Sequence, residues 1–285
     1  MKTFITVLLI CLLLLIIFAA VYLFLTAPST RRHKTLSRMM GKRYAHRGLY
    51  DAGKGIPENT LAAFSRCIEH GFGFEFDVRM TSDKKLVIMH DNSTLRMTGV
   101  DAKASELTAE QLRQLRIGGT DEVVPYFSEV LELVSGRIPL IVEIKTDGAD
   151  YREVCAAVAK MLDGYSGDYV IESFDPRAVK WYRKNRPDIA RGQLTEHFNS
   201  RKSNIPKLLG FIMHNYFSNF LTRPDFLAMR ITDRYGFTHQ MLKKLFGANV
   251  VVWTAQSEDE LLQSEKEGCT VIFEHFTPRP GSARF

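Results

Sequence analysis

Nine short apolar runs recur between residues 43 and 273, with helical patterns between most of them. No other feature of the chain restricts its fold as strongly. The strand candidates are Arg43–Ala45, Phe74–Val78, Leu86–Met89, Leu140–Ile144, Tyr169–Ser173, Ala190–Leu194, Phe226–Arg230, Val250–Thr254 and Thr270–Phe273. Apolar spacing predicts helices over Thr60–His70, Ala109–Leu115, Tyr151–Leu162, Pro176–Asn185, Thr238–Phe246 and Glu258–Glu267. Asn59 and Ser257 stand where N-caps belong. Strands alternating with helices indicate a parallel sheet. Seven or eight such units fit a (β/α) barrel of roughly 250 residues, and a doubly wound open sheet is the alternative. One strand is left over from the eight places of a barrel. Met80–Lys85 is too short for a helical crossover. The second and third strands are therefore expected to join locally, in a distorted barrel.

The first segment has a different character. Ile5–Leu25 runs without a charge, about the length that crosses a bilayer as a helix. A cleaved signal peptide has an apolar core of about 7–15 residues and a small-x-small cleavage site. This run is longer, and Leu25-Thr26-Ala27-Pro28 is a poor cleavage context. An uncleaved, single-pass anchor over residues 1–28 is expected, followed by a basic linker over 29–42. Lys2 and the amino terminus are positive before the span, whereas Arg31, Arg32, Lys34, Arg38, Lys42 and Arg43 follow it. The positive-inside tendency places the C-terminal part in the cytoplasm.

Residues 1–43 hold seven of the 38 Lys and Arg and none of the 32 Asp and Glu. The remaining 31 positive and 32 negative residues leave the large domain nearly neutral. The basic stretch suits anionic headgroups, and no nucleic-acid partner is expected of a domain without a basic face. Cys11 lies in the span, while Cys67, Cys155 and Cys269 are far apart, so no disulfide framework is expected.

Residues 195–223 interrupt the alternation. Ile205–Leu221 is apolar with scattered basic and polar residues, and reads as a helix packed on the barrel, a lid, or an amphipathic helix touching a membrane.

In GFEFDVRM, residues 73–80, Glu75 and Asp77 share one strand face, opposite Phe74, Phe76 and Val78. Two carboxylates on one side of an apolar strand require a compensating cation. Glu143 and Lys145 share a face in LIVEIKT, residues 140–146. Three carboxylates from two strands suit a hard divalent cation bound through oxygen. His46 ends the first strand and His90 the third, an arrangement that points to an acid–base pair. Barrel active sites collect at the C-terminal strand ends, where all of these residues would lie.

The ordered set HRG (46–48), PENT (57–60), E-x-D (75–77), HD (90–91) and EIK (143–145) resembles the glycerophosphodiester phosphodiesterase family. The resemblance extends to ESFDP at 172–176, GQL at 192–194 and VVWT at 251–254, and covers about residues 43–275. It implies a distorted TIM-like (β/α)8 barrel over 43–285. It also implies metal-dependent hydrolysis of glycerophosphodiesters, or of lysophospholipids reached from the membrane, to glycerol 3-phosphate and an alcohol. Carried over by position, Glu75, Asp77 and Glu143 match the ligands of Mg²⁺ or Ca²⁺, and His46 and His90 the catalytic pair. Arg47 and Lys145 match the phosphate-binding cations, and Glu58 the polar residue that closes the site. Trp253 lines the substrate cleft or simply packs. A lyase that leaves a cyclic phosphate and a non-catalytic, membrane-tethered phosphodiester binder are the competing readings. The chain departs from the family pattern at its far end. Ala255-Gln256 stands where Val-Asn is usual, and Glu274 takes the place of an aspartate.

Overall fold

Alternation across a strand shapes the centre of the molecule. In the computed structural model, which describes residues 1–31, 33–197 and 206–279, strand β2 (Gly73–Met80) is buried on both faces. Its Phe74, Phe76 and Val78 join the layer beneath the helices, while Glu75 and Asp77 face the other way. The strands are β1 (Arg43–His46), β2, β3 (Leu86–Ile88), β4 (Leu140–Ile144), β5 (Tyr169–Ser173), β6 (Arg191–Thr195), β7 (Phe226–Arg230), β8 (Asn249–Ala255) and β9 (Thr270–Phe273). Their order is β1-β9-β8-β7-β6-β5-β4-β2, and parallel pairing of β1 with β2 closes an eight-stranded barrel. The closed ring excludes the open doubly wound sheet. β3 is the extra strand; it pairs antiparallel with β2 outside the ring, which is the local join expected from the short Met80–Lys85 connection.

The helices are α1 (Lys2–Thr26), α2 (Lys34–Met39), α3 (Leu61–His70), α4 (Leu95–Thr98), α5 (Ala109–Arg113), α6 (Phe127–Val134), α7 (Tyr151–Leu162), α8 (Pro176–Asn185), α9 (Lys207–His214), α10 (Asn219–Thr222), α11 (Phe237–Phe246) and α12 (Glu258–Lys266). Between the strands and the outer helices lies one large apolar layer, in which Phe64 of α3 stacks on Phe74 at 4.3 Å between centroids. Each such ring, fully removed from water, contributes on the order of 2–3 kcal/mol.

The barrel interior is divided along its axis. Tyr44, Ile141, Val170, Phe226, Val251 and Ile272 fill its lower part. Gly192 makes room for the Phe226 ring, which would lie 2.2 Å from a Cβ at that position. Leu36 and Met39 of α2 close the floor, and Tyr44 donates its hydroxyl to Met39 O at 2.9 Å. The segment read as a basic linker is thus built into the barrel. Arg38 pairs with Asp168 just before β5, and His33 approaches Asp225 just before β7 at 3.3 Å.

Two local expectations need correction. Thr60, not Asn59, caps α3, since its hydroxyl accepts from Ala63 N; Asn59 turns inward instead. The helix expected over Ile205–Leu221 is broken into α9 and α10, with Tyr216 at φ 58° between them; residues 198–205 of that insertion lie outside the described residues. The α6 crossover was not anticipated. Its signal was present in YFSE, where the Glu129 carboxylate accepts from Tyr126 N at 2.8 Å.

Candidate active site

The same alternation that fills the lower barrel with apolar groups places ionisable ones above them. Strand register sets them side by side: His46 stands opposite Glu75, Asp77 opposite Glu143, and Glu143 opposite Glu172. These residues, with Lys145 one position beyond β4, gather at the C-terminal mouth. A cavity of about 820 Å³ opens there, lined by His46, Arg47, Glu75, His90, Glu143 and Lys145 among others.

Glu75, Asp77 and Glu143 each offer an oxygen within 4.8 Å of the others, and all three are buried. Lys145 Nζ lies 2.9 Å from Asp77 Oδ1 and 2.6 Å from Glu143 Oε1. Two cations, Lys145 and Arg47, among four buried carboxylates leave negative charge uncompensated. Burial, reinforced by Asp77, Glu143 and Glu172, pushes the Glu75 carboxyl well above its ordinary range. Burial and Glu143 do the same to Glu172. Burial also raises Glu143 against the pull of Lys145. At Asp77 burial opposes ionisation, but Lys145, His90 and Arg47 outweigh it and hold the group well below its usual value. Glu75 Oε1 is buried with no hydrogen-bond partner among the described residues. An all-oxygen donor set with an orphaned carboxylate oxygen fits a hard divalent cation.

The opening of the chain's first loop supports this cluster. Arg47 adopts a left-handed conformation (φ 56°) that directs its N–H to Glu75 Oε2 at 3.2 Å. Its guanidinium donates to Glu58 Oε1 at 2.7 Å, and Arg96 donates to both Glu58 oxygens. Glu58 therefore sits behind Arg47 rather than on the cavity wall. Asn59, also left-handed, donates Nδ2–H to Asp77 Oδ2 at 2.8 Å.

Each mouth histidine has a carboxylate on its Nδ1. His46 Nδ1 lies 2.6 Å from Glu274 Oε2, and His90 Nδ1 lies 2.6 Å from Asp91 Oδ1. Burial lowers the His46 pKa, with Glu274 pulling the other way. Despite its own burial, the hydrogen bond from His46 brings Glu274 down to about 2. The two departures from the family pattern meet here, for Gln256 Nε2 donates to Glu274 Oε1 at 3.2 Å. Trp253 lines the cavity and meets Phe174 edge-on at 5.7 Å. Glu172, Asn59, Asp91 and Arg96 were absent from the sequence-derived site. Glu172 opens the ESFDP stretch at 172–176, which was the available signal for it.

A closed (β/α) barrel whose mouth joins an acidic cluster, two carboxylate-paired histidines and two cations defines a protein equipped to hold a divalent cation beside an anion. Residues 46–278 match the glycerophosphoryl diester phosphodiesterase family, and the chain belongs to that family. It is 32% identical over 160 residues to a glycerophosphodiester phosphodiesterase of Caldanaerobacter subterraneus, a match covering 53% of this chain and 65% of that one. It is 27% identical over 280 residues to human glycerophosphodiester phosphodiesterase 1, covering 86% and 81%. A phosphodiesterase structure from Oleispira antarctica, in complex with sn-glycerol-3-phosphate, superposes with a TM-score of 0.67 at 23% identity, over 84% of this chain and 94% of that one. That likeness establishes the shared barrel.

Proposed function

We propose that this protein is a membrane-anchored, metal-dependent hydrolase that converts glycerophosphodiesters to glycerol 3-phosphate and an alcohol. The observation that carries the reading is the convergence of Glu75, Asp77 and Glu143 oxygens within 4.8 Å, flanked by His46 and His90. The three carboxylates would hold Mg²⁺ or Ca²⁺, which when bound supplies Lewis-acid stabilisation of the phosphoryl oxygens. Arg47 and Lys145 add fixed positive charge where the phosphate's negative charge grows.

The acid–base roles follow from the histidines' partners. Glu274 accepts from His46 Nδ1, which leaves Nε2 as the free acceptor. Burial keeps this imidazole neutral near pH 7, the state a base requires. His46 therefore takes the nucleophile's proton at Nε2, and His90 protonates the departing alcohol. Trp253 and Phe174 offer an apolar wall to the leaving group. The apolar helix α1 is the candidate span and serves as the anchor.

The test is release of glycerol 3-phosphate from glycerophosphocholine by the full chain, in EDTA, Mg²⁺ or Ca²⁺. His46→Ala and His90→Ala are expected to lower kcat by about 10²- to 10⁴-fold. Glu75→Ala is expected to abolish the metal response. A cyclic phosphate as the end product would assign the lyase reaction instead. Tight phosphodiester binding without turnover under any metal would assign a binder.

A further inference from the structure

We infer that the barrel mouth faces the bilayer and that α9 and the first turn of α11 seat in its headgroup layer. This rests on the reading of α1 as a membrane span. The direction of α1 along the barrel carries the inference. At Tyr22, its hydroxyl lies 2.7 Å from Thr238 Oγ1, and its ring meets Phe217 edge-on at 5.6 Å. Thr238 belongs to the first turn of α11, which follows β7 and starts at the mouth. Farther along, Thr26 O accepts from Asn219 Nδ2 at 2.7 Å and Ala27 O from Arg223 Nη1 at 2.7 Å. At Ser29 the backbone N–H donates to Pro224 O at 2.8 Å. Pro224 lies just before β7, at the floor end. From Tyr22 to Ser29 the chain thus runs down the barrel wall from mouth to floor.

A helix continues straight, so residues 2–21 project beyond the mouth and not beyond the floor. Twenty residues extend about 30 Å, the thickness of the hydrocarbon core. Tyr22 then stands at the interface, where its amphipathic ring belongs, and the mouth stands at the same depth.

The side chains on that face agree. Phe237 at the start of α11 is 78% exposed, and Leu208 and Phe211 of α9 are 72% and 57% exposed. On the opposite face of α9, Gly210 and Met213 are buried. α9 is fixed to the mouth: Thr195 donates to Met213 O at 3.0 Å, and His214 Nδ1 lies 3.2 Å from the carbonyl of Glu196, a cavity-lining residue. Its sequence, KLLGFIMH, contains no acid and begins with a lysine whose stem can lie along the headgroups. By contrast, Arg38 and Arg43 do not meet the headgroups as their place in sequence suggested. Arg38 and Arg43 pair with Asp168 and Glu265 at the floor end, a barrel's length from the lipid. A phosphodiester carried in the headgroup layer would enter the cavity without crossing bulk water.

The experiment uses the full chain in phosphatidylcholine nanodiscs, with Cys11→Ser to remove the exposed thiol. Single cysteines are introduced as Phe237→Cys, Leu208→Cys, Leu245→Cys or Leu14→Cys and labelled with an NBD fluorophore. Bromine-bearing phosphatidylcholine then quenches labels that touch lipid. Leu245 is an exposed apolar residue at the floor end of α11, so it controls for label chemistry. The expected result is loss of most of the fluorescence at positions 14, 208 and 237, with position 245 unchanged. Quenching at 14 with 208 and 237 as bright as 245 would overturn the inference while leaving the anchor intact. No quenching at 14 would remove the anchor itself, and the inference with it.

Discussion

His46 and Glu274 are 228 positions apart in sequence, and 2.6 Å separates His46 Nδ1 from Glu274 Oε2. Parallel pairing of β1 with β9 brings them together. Glu274 is further held by Thr254 Oγ1 at 2.7 Å and by Gln256. Its carboxylate therefore orients the imidazole and selects its tautomer, as carboxylates behind functional histidines do.

Glu274→Gln keeps the shape of this contact and removes its charge. Because Glu274 raises the His46 pKa, the acid limb of kcat/KM is expected to move to lower pH. Turnover at neutral pH falls on the order of 10- to 100-fold, as for other groups that orient a functional histidine. A pH–rate profile of both enzymes reads the two effects separately.

In Glu75→Gln the surplus negative charge at the mouth is reduced. The Glu75 carboxyl is pushed well above its ordinary value of 4.5 in the folded chain. Above that value the unfolded chain gives up a proton that the folded chain retains, so this group lowers stability as pH rises. Metal-free Glu75→Gln is accordingly expected to melt higher than the metal-free parent at neutral pH. Mg²⁺ or Ca²⁺ is expected to raise the melting temperature of the parent and to leave that of the variant unchanged. Thermal scans in detergent, with and without EDTA, check both.

His239 supplies a pH dependence outside the carboxylate cluster. It is buried against Tyr216 and His214, with neither ring nitrogen hydrogen-bonded among the described residues. Burial, and then the neighbouring His214, lower its pKa from 6.5 to about 4, against a weaker pull from Asp233. Between these values the unfolded chain holds a proton that the folded chain does not. Stability should therefore fall as pH drops through that window, by up to about 3 kcal/mol, and this contribution is flat on either side. His239→Phe is expected to lose that part of the slope in unfolding measured from pH 7 to pH 4.

Gly192→Ala tests the packing beneath the site. A methyl group there would stand 2.2 Å from the Phe226 ring. Overpacking of this kind costs roughly 1–3 kcal/mol, and the melting temperature is expected to fall. Phe226→Leu in the same chain should recover part of the loss.

The strands were legible because period-two alternation and short apolar runs are local properties. All nine candidates recur, with shifts of one or two residues at some ends, and Tyr151–Leu162 and Pro176–Asn185 appear as predicted. The site was legible in part for the same reason. Glu75 and Asp77, like Glu143 and Lys145, lie two apart on a strand and must share a face. Glu172 was missed because the residue two positions on is Phe174, so its strand carries no second charge on that face. Asn59 resembled a helix cap because it precedes an amphipathic run. Only the left-handed turn at that position, set by the fold of the 48–58 loop, redirects its amide to Asp77.

By itself, the sequence determined the alternation of elements, the long apolar first helix and the carboxylates that must share a face, since all three depend on neighbours within a few residues. Tertiary structure decided the rest. Ring closure by β1 with β2 and β9 brings Glu274 to His46, strand register places Glu172 beside Glu143, and the docking of α1 on α10 and the first turn of α11 sets which end of the barrel it extends from. Those relationships join residues tens to hundreds of positions apart. No local pattern encodes them, because they arise only when burial of the whole apolar layer fixes one packing of the chain.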